Sequence, residues 1–129
     1  MWKYLIFFYK KLYFKLFKVV HLRPRTSIGK RVLLSYLAEP FLLRPGSKAS
    51  SFHSNYWECA EIAQTFLEKG YTVDVINWDN EKFIPRQHYD ICIDVHNNLR
   101  NLAPYLRNTL KIFHITNAHW LVAKQNEEQ

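Results

Sequence analysis

Apolar and polar positions alternate between two periods along this chain, and the switches mark out a βαβ unit. Arg31 to Leu37 is a short, mostly apolar run. A polar loop with Pro40, Pro45 and Gly46 follows. From Asn55 to Lys69 the apolar positions Tyr56, Cys59, Ala60, Ala63, Phe66 and Leu67 recur at helical spacing, with Glu58, Glu61, Thr65 and Glu68 on the other side. Gly70 supplies a stop signal, and Asn55 with Glu58 three residues later reads as a capping box. Tyr71 to Asn77 is a second β-rich run. A parallel strand covered on both faces reads as a continuous apolar segment, and its crossover is usually a helix. Ligands in such folds bind beyond the carboxyl ends of the strands.

The same alternation continues. Asn77 to His88 is a polar loop with Trp78 and Phe83 as packing anchors. His88 to His96 reads as a third strand, with Asp94 near its end. Leu99, Leu102 and Leu106 suggest a short helix interrupted near Pro104. Leu110 to Ile115 is a fourth strand. The expected fold is α/β: a partial Rossmann-like parallel sheet of about four strands with flanking helices. It occupies residues 31–129, behind an N-terminal amphipathic helix (1–20) and a basic linker (21–30). An order of 3-2-1-4 would leave the fourth strand as an open edge, which invites pairing with another chain.

Charge changes the reading of the first thirty residues. The net charge is +7, yet all nine bases from Lys3 to Arg31 precede the first acid, Glu39. The remainder carries nine bases against eleven acids and is near neutral, so the basicity belongs to the arm. On a helix, Lys3, Lys10, Lys11, Lys15 and Lys18 fall within an arc of about 140°. The rest of the circumference is apolar or aromatic, including Trp2, Phe8 and Leu12. Each central lysine would cost roughly 2.5–3.5 kcal/mol in a spanning helix. Lysines also interrupt any signal-peptide core. An interfacial helix on anionic lipid fits this pattern, and packing on the protein's own core or on a partner is the alternative. Nucleic acid is not expected, because the folded part offers no second basic patch.

The 48% hydrophobic content suits a single globular domain. Cys59 and Cys92 lie inside apolar patterns and read as buried free thiols in a reducing compartment. There is no CxxC pair, no G-x-G-x-x-G and no G-K-[ST], so structural zinc, a dinucleotide fingerprint and a P-loop are not supported.

Candidate chemistry gathers at the predicted carboxyl edge. His53, Ser54 and Asn55 sit at a helix N-terminus, which favours anions; simple capping also accounts for them, for Asn55 above all. His96, followed by Asn97, and His119 both follow strands. They suit acid–base work, or they merely end their strands. No carboxylate is clearly placed to complete a metal site. His114, inside a strand pattern, reads as a core histidine, and His88 as a surface residue.

With these segments in order, residues 31 to 122 resemble the N-terminal half of GT-B-fold glycosyltransferases of the family 4 (group 1) kind. The resemblance rests on Gly70-Tyr71-Thr72-Val73, on the Tyr89 to His96 strand, and on Lys111 to Trp120, which is similar to a strand ending in Thr-x-His. It implies a hexosyltransferase that takes a sugar from a nucleotide-diphosphate sugar, with no metal or other cofactor required. His119 matches the family's histidine at the reacting centre, and His96 the other strand-end histidine. His53, Ser54, Asn55 and Asn97 become substrate-binding candidates. Leu43-Arg44-Pro45-Gly46-Ser47 stands where the family has a Gly-Gly loop. The expected protein is the acceptor-side portion of the enzyme, without the donor-binding half and inactive alone. It would sit in the cytoplasm at the inner face of the membrane and meet a second lobe or a second copy through the open sheet edge. The alternative is a non-catalytic α/β module tethered to the membrane by its N-terminal helix.

Overall fold

The computed structural model describes residues 2–6, 8, 18–42 and 54–115. Five strands form one sheet in the order β1-β3-β2-β4-β5. They are β1 (Val20–Leu22), β2 (Arg31–Tyr36), β3 (Thr72–Asn77), β4 (Ile91–Asp94) and β5 (Leu110–Phe113). Three helices accompany them: α1 (residues 2–6), α2 (Ser54–Glu68) and α3 (Asn98–Leu102).

β2 is the sheet's centre. It pairs in parallel with β3 on one side and β4 on the other, and β4 pairs in parallel with β5. This explains why Val32 to Tyr36 reads as an unbroken run, since every residue of it is buried. Two cores sandwich the strand. Val32, Leu34 and Tyr36 pack with Val73, Val75 and Ile93 under Cys59 and Ala63 of α2. Leu33 packs with Ile76, Cys92, Tyr89, Leu102 and Leu106 on the opposite face. The two crossovers flanking the centre therefore lie on different faces: α2 on one, α3 and the 78–90 loop on the other.

The α/β class and the parallel pairing agree with the expectation from sequence, and three details differ. The strand order is not 3-2-1-4. The central strand is flanked by the next two in sequence, and β5 lies outside β4. There is also a fifth strand where a linker is expected, for β1 pairs antiparallel with β3. Residues 18 and 19 are not helical and Val20 begins β1, so Lys18 leaves the helical arc. The rest of the linker is docked, with Ile28 N–H donating to Gly70 O at 3.0 Å.

α2 ends as its sequence indicates. Gly70 adopts φ +91°, its N–H bonds to Leu67 O, and Tyr71 N–H bonds to Phe66 O. These two bonds satisfy carbonyls the helix leaves open, and the Phe66 and Tyr71 rings meet edge-on at 5.3 Å. The short helix near Pro104 is α3, followed by a 3-10 turn over Ala103–Tyr105. Both cysteines are buried free thiols. Burial first of all pushes each up to about 12, so both stay protonated and unreactive in the native state.

Candidate functional site at the carboxyl rim

Parallel strands end at one edge, so β2, β4 and β5 deliver their last residues to a common rim. The connections leaving β2 and β4 turn to opposite faces, which opens a crevice between their tips. Tyr36 closes β2, and His114 follows β5. The His114 N–H donates to Asp94 O at 2.8 Å, which fixes its backbone against β4. The first turns of α2 pass above and bring Glu58.

These three side chains converge. Glu58 Oε1 accepts from the Tyr36 hydroxyl at 3.1 Å and from His114 Nε2 at 2.6 Å. The Tyr36 and His114 rings lie 6.4 Å apart. The imidazole and the carboxylate are 36% and 38% exposed, so the pair is held by the fold yet open to solutes. A carboxylate accepts only, so Nε2 carries a proton, and in the neutral ring Nδ1 keeps a lone pair. An imidazole oriented by a carboxylate in this way can take a proton from a hydroxyl.

Two further elements complete the rim. Trp78, just past β3, donates its N–H to Tyr36 O at 2.9 Å. Its ring meets that of His96 at 4.8 Å with the planes tilted by 54°, and His96 lies beyond the end of β4 and is exposed. Asp94 is buried rather than open to the rim. Its Oδ2 accepts from Leu99 N–H at 2.8 Å and so caps α3, while Oδ1 has no hydrogen-bond partner among the described residues. Beside it Asn98 donates to Ser35 Oγ at 3.3 Å and to Asn80 O at 3.1 Å. At the other end of the crevice the Tyr56 hydroxyl donates to Glu39. Burial, then the hydrogen bond and charge of Glu39, push that hydroxyl up to about 12.

The sequence-expected residues fare unevenly. His119, His53, the Leu43 to Ser47 stretch and the arm residues Lys10, Lys11, Leu12 and Lys15 lie outside the described residues. Ser54 opens α2 and Asn55 lies within its first turn. Asn97 is exposed at the start of α3 and makes no side-chain cap. The capping box of Asn55 and Glu58 is not formed as expected, because the Glu58 carboxylate is drawn to Tyr36 and His114. His114 is not a core histidine but a rim residue. Its pairing spans 56 positions, a distance at which no spacing rule operates. The only hint was a polar residue ending an otherwise apolar strand.

The fold and the rim together define a doubly wound α/β protein with a carboxylate-oriented histidine at its switch point. The chain matches no protein-family model, no curated protein and no solved structure.

Proposed function

We propose that the chain is the acceptor-side portion of a membrane-associated glycosyltransferase, with the rim of β2, β4 and β5 as the place where a hydroxyl acceptor docks. The observation that carries this reading is the Glu58–His114 pair beside Tyr36 at the switch point. In the transfer, the acceptor hydroxyl gives its proton to His114 Nδ1 as its oxygen bonds to the sugar's anomeric carbon. The bond from that carbon to the diphosphate breaks, and the nucleoside diphosphate leaves with the electron pair. Glu58 stabilises the imidazolium that forms. The Trp78 ring offers an aromatic face of the kind against which a sugar ring stacks. His119 is the second histidine in this reading. A second lobe that holds the nucleotide sugar joins at β5, which is exposed along its whole length.

Titration of the isotope-labelled chain with methyl glucoside, methyl galactoside and N-acetylglucosamine tests the acceptor role. Amide shifts at Tyr36, Glu58, Trp78 and His114 are expected with at least one sugar, and their loss is expected in His114→Ala. A rim silent to all three sugars would leave the second reading, a non-catalytic module tethered to a membrane.

Both readings share the arm. Among the described residues no helix is long and apolar enough to cross a membrane. α1 nevertheless carries Trp2 at 75% exposure, and Phe8 beyond it is 69% exposed, with Lys3 exposed beside them. Such a surface suits the headgroup boundary. The chain is expected to float with phosphatidylglycerol vesicles and to lose flotation when Trp2, Lys3 and Phe8 are replaced by Glu. Equal flotation of the variant would refute anchoring through this segment.

A further inference from the structure

The sheet face opposite α2 carries a second polar constellation, away from the rim. His21 of β1 lies directly across from Asp74 of β3, which puts both side chains on one face. Asp74 is buried, and both of its oxygens are occupied. Oδ1 accepts from His21 Nδ1 at 2.7 Å and Oδ2 from the Tyr89 hydroxyl at 2.5 Å. With the Nδ1 proton turned to the carboxylate, Nε2 of His21 is left for something else. The imidazole is 63% exposed, so a solute can reach it.

That something has room. His21 and Tyr89 line a cavity of about 590 Å³ together with Phe83, Ile84, Lys82 and Arg86. A second cavity of about 420 Å³ is lined by Arg23, Arg31 and Asp74, and His21 and Gln87 belong to both. The first volume lies in the range of small-molecule sites. Four cationic side chains surround the two cavities, against the single carboxylate of Asp74. The field is therefore positive, and more so than a monoanion would balance. Arginine forks match the several acceptor oxygens of a phosphate group, and Nε2 of His21, an acceptor when Nδ1 holds the proton, suits the hydroxyl of a monoprotonated phosphate. Phe83 and Ile84 give the first cavity an apolar wall for the rest of the ligand.

We propose that this cleft binds a phosphomonoester, with His21 and Arg86 on the phosphate oxygens and the ester's organic part against Phe83 and Ile84. Asp74 acts as a positioning residue that holds the His21 ring in place from its buried side. The site is independent of the rim reading, since none of its residues belongs to the Tyr36–Glu58–His114 group.

The test is titration of the isotope-labelled full chain with inorganic phosphate, against sodium chloride of equal ionic strength. Saturable amide shifts at His21, Arg86 and Gln87 are expected with phosphate alone. Arg86→Gln removes a charge-assisted contact and His21→Ala a hydrogen bond to the phosphate, and each is expected to weaken binding about tenfold or more, with unchanged circular dichroism. Two competitors then locate the source. Displacement by glycerol phosphate marks a soluble ester, and displacement only by phosphatidic acid vesicles marks a lipid headgroup. Identical shifts with chloride, or phosphate binding unaltered in both variants, would overturn the proposal.

Discussion

Gly70→Ala is expected to lower the stability of the fold by about 3 kcal/mol, a fall in melting temperature of about 10 °C. Two costs combine. At φ +91° an L side chain is strained. A Cβ there would also stand 2.8 Å from Ile28 Cγ2 and 2.9 Å from Thr26 O. The Ile28 methyl can swing aside, but the Thr26 carbonyl is backbone, and that segment is tied to the helix end by the Ile28 N–H bond to Gly70 O. Gly29→Ala is the control. Its φ is +76° but a Cβ there meets nothing within 4 Å, so only the conformational cost of about 1 kcal/mol is expected. Thermal or urea unfolding of the two variants separates the terms. Equal losses would mean that the close approach of the 26–28 segment contributes nothing.

Gly70 was legible in the sequence because its signal is local: a glycine directly after a helical period. The same holds for β2, β3, β4 and α2, whose apolar periods are fixed by which faces are covered, and β5 was legible as a short apolar run although it is exposed. β1 was not legible. Three residues carry no period, and Val20-His21-Leu22 sits between a lysine-rich helix and a proline-containing stretch that reads as linker. The strand exists because β3 offers it an open edge, a fact of tertiary structure. The polar sites follow the same division. Histidines at strand ends drew notice as single residues, whereas their partners did not. Glu58 sits three residues after Asn55, a spacing that suggests a cap, and the competing partners Tyr36 and His114 lie on other elements. His21, Asp74 and Tyr89 come from β1, β3 and the loop before β4. Asp74 itself is a single acid inside a β-rich run, and nothing local to it points to His21 or Tyr89.

Asp74→Ala is expected to cost about 3 kcal/mol, because it strands two donors at once. The Tyr89 hydroxyl is buried and loses its acceptor, and β1 loses the side-chain hydrogen bond to β3 from His21 to Asp74. Asp74→Asn keeps the shape and one accepting oxygen, and the hydroxyl can reverse its role, so a loss of about 1 kcal/mol is expected. Urea unfolding at neutral pH measures both; equal losses would mean that shape, not the carboxylate, is what the site needs. Alkaline titration gives a second readout. Burial, then the hydrogen bond and charge of Asp74, raise the Tyr89 hydroxyl far above its ordinary value, with Arg31 pulling the other way. Tyr56, Cys59 and Cys92 are raised as well, each to about 12. The folded state therefore holds these protons more tightly than the unfolded chain does. That contribution is fully present below about pH 8, where the unfolded thiols begin to ionise, and is lost as pH climbs toward the folded values. In Asp74→Ala the part due to Tyr89 loses its Asp74 contribution, so the decline that begins at about pH 10 levels off at a lower pH. A decline that levels off at the same pH in Asp74→Ala would show that Tyr89 does not depend on Asp74 in solution.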